Sequence, residues 1–248
     1  MAYIHNMNSS PQQRICPNIA ECYKSIRAPE LYRNFAIHLF VMLPAAIAMC
    51  LIASHIDHAM AYGFPIAAPS NILLGLTCIG IGGLWVWYVY GYLYLAGGGS
   101  PGTHVDGGPV RMVDTGPYTA IRHPSVLGKL LGVTGLGIIW QSPTFLLGFL
   151  PILVIYSVVS NRLLQERFCE DRFGERYVQY REQVPMLIPR PSGITRWRQG
   201  KPALDAIELL SVSQQPPGVW KEFRWYLIGL IGLLSCFGGM ALMSQLSW

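Results

Sequence analysis

The sequence predicts an all-α polytopic membrane bundle of about five transmembrane helices, with its polar mass, including a long C-terminal segment, on the cytosolic side. Three observations carry this. Hydrophobic residues make up 52% of the 248 and charged residues only 12%, where a soluble domain carries roughly 25% charged. The apolar residues fall in runs near the ~20 needed for a helix to cross a bilayer, where a bare peptide group has no water to bond. On a five-span path every Lys and Arg except Lys129 lies on one side, and that side is cytosolic.

The elements follow in chain order. An N-terminal arm, 1–34, is polar, with Arg14, Lys24 and Arg27 and no short apolar leader. Two transmembrane helices are expected within 35–94, over 35–56 and 71–94, with Pro44 set to kink the first. A core segment, 95–191, begins with a Gly/Pro-rich loop. The short runs 125–140 and 144–160 then form a helical hairpin about Gln141-Ser142-Pro143. An amphipathic helix is expected over 161–183, with Glu166 and Glu170, Arg172 and Arg176 as i,i+4 neighbours, ended by Pro185, Pro189 and Pro191. A linker, 192–224, holds a second short amphipathic stretch at 203–212, and 225–248 carries the last span, over 225–246. The N-terminus is then cytosolic and the C-terminus on the opposite side.

The formal charge of +5 sits in these loops and does not describe a nucleic-acid surface. Six scattered cysteines show no zinc or redox spacing, so no metal site is expected. His55-Ile56-Asp57-His58 reads as a solvated loop rather than a metal site, since no further ligands lie near it.

Ionisable groups where spans meet cytosolic loops are the places to look for chemistry. Gly116-Pro117-Tyr118-Thr119-Ala120-Ile121-Arg122-His123-Pro124 leads into the third span, and Arg162 and Glu166 stand at the cytosolic end of the fourth. A hairpin brings both to one side. Arg162 and Glu166, four apart, share a helix face. That spacing suits either an ordinary surface ion pair worth a few tenths of a kcal/mol or a device that binds a carboxylate and orients a nucleophile. His123 suits either a helix cap before Pro124 or a working imidazole. Trp85, Tyr88 and Tyr92 share a face that fits an interfacial aromatic belt or the wall of a lipid tunnel. Gly128 and Gly132 form a GxxxG, the spacing of close helix packing.

The order Gly116-Pro117-Tyr118, Arg122-His123-Pro124, Gly128, then Glu166, Phe173-Gly174, Tyr177, Tyr180, Val184-Pro185 and Ile188-Pro189 resembles the isoprenylcysteine carboxyl methyltransferase and phospholipid methyltransferase superfamily over roughly residues 95–191. The resemblance implies an integral membrane methyltransferase that uses S-adenosylmethionine and takes a lipophilic or lipidated acceptor from the membrane lipid. It places Tyr118, Arg122, His123, Pro124 and Gly128 around the cofactor, and Tyr177 and the 184–189 stretch, including Pro189, over it as a lid. Arg162 and Glu166 are then the catalytic pair where cofactor and acceptor meet. The family often has an aromatic residue where this chain has Val126, and its members commonly end soon after the Ile-Pro. The His-Pro element also resembles membrane sterol-type reductases, which use a nicotinamide cofactor but have many more spans. A third reading is a non-catalytic docking surface formed by the arm and the polar segment.

Overall fold

A computed structural model describes residues 15–66, 68–98 and 109–204. Every regular element among them is helical. The expected fifth span, nearly all of the 203–212 stretch and the start of the arm lie outside the described residues.

Helix α1 (Ile19–Lys24) is short and closed by a capping box. Asn18 accepts from the Glu21 N–H, and the Glu21 carboxylate accepts from the Asn18 N–H, so two otherwise orphaned donors are satisfied. Helix α2 (Pro29–Ala59) starts on a proline, whose missing N–H costs nothing in the first turn, and runs through Pro44. It is longer at both ends than the expected 35–56. Helix α3 (Ser70–Ala96) follows. Helix α4 (Pro124–Ile139) again starts on a proline.

Beyond the Gln141-Ser142-Pro143 turn the chain is helical up to Phe173. It passes through a π turn at Phe145–Phe149, α5 (Leu150–Ser160), a second π turn at Asn161–Gln165, and α6 (Glu166–Phe173). Two helices are long and apolar enough to cross a membrane, Ser70–Ala96 and Phe145–Phe173; Leu43–Ala59 and Pro124–Ile139 are apolar but shorter. At about 1.5 Å per residue the first two reach roughly 40 Å, beyond the ~30 Å hydrocarbon core.

The amphipathic helix expected over 161–183 is not one helix. Its first part continues the apolar span without a break. Gly174 then adopts φ 58°, ψ −141°, a region open in practice only to glycine. Helix α7 (Glu175–Gln183) starts afresh there. The charges consequently pair across elements rather than along one face: Arg181 with Glu170, and Arg176 with Asp114 at 3.6 Å. Helix α8 (Pro191–Arg198) forms where a linker was expected.

Helices α3 and α4 lie antiparallel and touch through glycine. A Cβ on Gly82 would stand 2.5 Å from the Gly128 carbonyl oxygen, and one on Gly75 2.6 Å from that of Gly135. Any side chain at these points forces the helices apart, which is the use of small residues in membrane packing. Among the described residues nothing lies within 4 Å of where the Gly132 Cβ would be, so only one glycine of the GxxxG is required by its own contacts there. Asn71 donates to the Ile139 carbonyl at 3.2 Å, closing the end of α4.

The 55–58 stretch is helix, not a solvated loop. Asp57 turns inward, buried, and accepts from Ser142 Oγ and, at 3.0 Å, from the Thr144 N–H. It satisfies the first donors of the helix that follows. Beneath it Met49, Cys50 and Ala53 of α2 pack on Phe145 and Phe149 of the π turn.

Candidate functional site

The site is built on the loop that enters α4. A 3₁₀ turn, Gly116–Thr119, opens it. Gly116 has φ 57°, and a Cβ there would lie 2.3 Å from the Tyr92 ring, so both backbone and packing require glycine. Tyr92 donates to Thr115 Oγ1 at 2.8 Å.

Distant chain then clamps the loop. The Arg122 N–H donates to the Pro185 carbonyl at 2.9 Å and the His123 N–H to that of Met186 at 3.2 Å. Tyr180 OH donates to the Tyr118 carbonyl at 2.8 Å. Thr119 Oγ1 lies 3.1 Å from the Gly193 carbonyl, and α8 approaches so closely that a Cβ on Gly193 would be 2.6 Å from the Thr119 oxygen. Trp85 Nε1 donates to the Pro124 carbonyl at 2.7 Å. These contacts fix the backbone of Arg122-His123-Pro124 from three directions.

Glu166 is the first residue of α6 and is only 2% exposed. Its Oε1 meets Arg122 Nη1 at 2.9 Å and His123 Nε2 at 3.4 Å. The hairpin thus joins its two arms at the open end. The Arg122 approach is a charge contact without hydrogen-bond alignment, since Arg122 Nε and Nη1 find no hydrogen-bond acceptor among the described residues. A buried guanidinium with donors to spare suits an anionic guest. Burial holds His123 below its ordinary 6.5, against the pull of Glu166 in the other direction, and the Arg122 charge adds to the lowering. A neutral ring beside a carboxylate donates through Nε2–H, leaving the Nδ1 lone pair as an acceptor. Burial also pushes the Tyr118, Tyr177 and Tyr180 phenols upward, so they serve as neutral hydroxyls.

Of the residues singled out from sequence, Arg122, His123 and Glu166 meet directly. Tyr118 and Pro124 flank them on the same loop, and Tyr177 lies close enough to Glu166 and Arg122 to feel both charges. Gly128 stands in the α3–α4 contact, the role its spacing suggested. Pro189 is exposed. Arg162 is exposed too and is not the cation on Glu166. It sits in the π turn, where the Glu166 N–H reaches back five residues to the Asn161 carbonyl. That extra residue per turn rotates Arg162 off the face four residues on.

The aromatic face of α3 turns inward instead of forming a lipid-facing belt. Trp85 and Tyr88 sit 5.9 Å apart, and both meet Trp197 of α8, at 5.9 and 6.5 Å between ring centres. Trp197 and the buried Asp114 escaped sequence reasoning. The only signal for either was a tryptophan in a basic stretch and an acid near the end of a Gly/Pro-rich loop.

Residues 70–176 match the phospholipid methyltransferase family. The chain is 31% identical over 89 residues to the protein-S-isoprenylcysteine O-methyltransferase of Xenopus laevis, which covers 34% of this chain and 28% of that protein. It is 36% identical over 75 residues to methanethiol S-methyltransferase 1 of Bradyrhizobium diazoefficiens, covering 29% and 24%. With the cobalt-zinc-cadmium resistance protein CzcN of Cupriavidus metallidurans it shares 29% over 122 residues, 48% of each chain. The chain spans between about a quarter and a half of the length of the curated relatives it matches. No solved structure matches it significantly. The matched stretch, residues 70–176, holds the Arg-His-Pro loop and Glu166, and is similar to the phospholipid methyltransferase family and to the isoprenylcysteine methyltransferases.

Proposed function

We propose that this protein transfers a methyl group from S-adenosylmethionine to a lipophilic acceptor at the cytosolic face of a membrane, with carboxyl O-methylation of an isoprenylcysteine-like substrate slightly favoured. The supporting observation is the buried cluster of Arg122, His123 and Glu166, held by the family's motif loop. Its donor set fits the cofactor. Arg122 has unused N–H donors for a carboxylate, Glu166 offers a carboxylate to an ammonium, and Tyr118 and Tyr177 stand beside them.

When bound, S-adenosylmethionine supplies a methyl carbon on a positively charged sulfur, open to in-line displacement. The acceptor's lone pair forms the new bond as the carbon–sulfur bond breaks, and that bond's electrons remain on sulfur. The chain's own task is to orient and to exclude water. His123 and Arg122 fix Glu166. For a thiol or amine acceptor Glu166 takes the proton released. A carboxylate acceptor releases none and needs only a cation to place it, the role proposed for Arg162, which is exposed on the turn before Glu166. The N-terminus is cytosolic and the C-terminus opposite in this proposal.

Calorimetry with purified protein tests it against the alternatives. Binding of S-adenosylhomocysteine is expected. Binding of NADPH instead supports a sterol-type reductase, and binding of neither a docking role. Labelled methyl donor with a membrane extract then identifies the product. His123→Ala and Glu166→Ala are each expected to abolish transfer while circular dichroism shows the helices intact, and full activity in either refutes the site.

A further inference from the structure

Helix α8 and the strap that leads into it carry one sign of charge. Residues 183–204 include Arg190, Arg196, Arg198 and Lys201 and no Asp or Glu. Arg196 turns back on its own chain, its Nη1 donating to the Pro202 and Ala203 carbonyls at 2.9 and 3.2 Å. Arg190, Arg198 and Lys201 are exposed. Between and before them, Ile188 is 82% exposed and Ile194 38%. Cations interleaved with bare isoleucines suit a surface that offers anions and hydrocarbon together, as an anionic leaflet does. A free anion in solution would leave the isoleucines uncovered.

The inner side of α8 is fixed, and its height with it. Trp197 stacks on Tyr88 with the rings 17° from parallel, and meets Trp85 edge-on. Trp85 in turn bonds the Pro124 carbonyl at the start of α4. The two antiparallel helices touch from Gly75 against Gly135 to Gly82 against Gly128, so their paired length ends near Trp85. Helix α3 alone continues to Ala96, roughly 16 Å further. Helix α8 therefore lies where the spanning pair leaves lipid, level with the headgroups.

The same stretch holds the motif loop from both flanks. Pro185 and Met186, which accept from the Arg122 and His123 N–H groups, stand just before Ile188. Gly193, beyond it, is pressed against Thr119. Whatever immobilises residues 188–201 therefore steadies the two clamp bonds between them and the loop.

We propose that the outer face of residues 188–201 docks on anionic phospholipid headgroups, and that this docking holds the Arg122 and His123 clamp closed. Each cation brought to an anionic membrane surface strengthens association about fivefold. Docking involves no methyl transfer and stands apart from the methyltransferase reading.

The full chain is placed in nanodiscs of pure phosphatidylcholine and of phosphatidylcholine mixed with phosphatidylglycerol, and amide hydrogen exchange is followed by mass spectrometry. With phosphatidylglycerol, exchange over 188–201 and at the Arg122 and His123 amides is expected to slow about tenfold, less so at high salt. Arg198→Gln with Lys201→Gln, both exposed positions, is expected to abolish the slowing, and Arg198→Lys with Lys201→Arg to keep it. Equal exchange in the two nanodiscs, or slowing that survives the double glutamine variant, overturns the proposal. So does equal slowing from inorganic phosphate added to pure phosphatidylcholine nanodiscs, which marks a free-anion site. Slowing over 188–201 with Arg122 and His123 unchanged overturns the coupling to the clamp.

Discussion

The contact between Arg122 and Glu166 can be weighed directly. At 2.9 Å and an effective permittivity of ~20, the Coulomb attraction is about 6 kcal/mol. Side-chain exposures of 12% and 3% justify that permittivity over the value for water. Desolvating both ions offsets much of this, and the misaligned hydrogen bond removes more, so the pair contributes little net stability over an apolar replacement. Breaking it from one side is different. Arg122→Met leaves a buried carboxylate with only His123, and Glu166→Gln leaves a buried guanidinium; each is expected to cost ~3–5 kcal/mol. The double variant leaves neither charge and is expected to be more stable than the two losses added together, with a coupling of ~2–3 kcal/mol. Unfolding in mixed micelles, followed by tryptophan fluorescence for the wild type, both single variants and the double, measures it. A coupling below ~0.5 kcal/mol means that the two charges do not share one buried site, and the proposed cluster fails with it.

Three further outcomes follow from the geometry. Gly128→Ala places a methyl group 2.7 Å from the Gly82 oxygen and is expected to cost ~1–3 kcal/mol in thermal denaturation. Gly132→Ala, with no described residue in contact, is expected to stay within ~0.5 kcal/mol; equal losses refute the antiparallel glycine contact. Asp57→Ala removes the cap on the Thr144 N–H and is expected to cost ~1–2 kcal/mol, and an unchanged melting temperature counts against it. Because burial lowers the His123 pKa below 6.5, the unfolded chain takes up a proton before the folded one does. The contribution of the neutral ring is complete above 6.5 and is lost as pH falls from there toward the lowered value. His123→Gln is expected to flatten that part of the stability profile, and an unaltered slope contradicts the neutral assignment.

Several features were legible because they are local. Hydropathy marks where α2, α3 and the hairpin run, and Pro124 marks where α4 starts, whereas Pro191, expected to end a helix, opens α8. The motif order brings Tyr118, His123 and Glu166 into view without coordinates. The break at Gly174 was less legible, since the charged pattern on either side continues at helical spacing and only backbone conformation reveals the turn.

The amino-acid order alone determined a helical, apolar chain, the order of its apolar runs through the hairpin and the meeting of the Arg-His-Pro loop with Glu166, because each follows from hydropathy, spacing or hairpin closure. Tertiary structure decided the rest. It selected Arg122 over Arg162 as the cation on Glu166, because a π turn changes helix phase by an amount no residue pattern announces. It turned Trp85 and Tyr88 toward Trp197 and away from lipid, because the side that an aromatic face meets depends on a partner more than a hundred residues away.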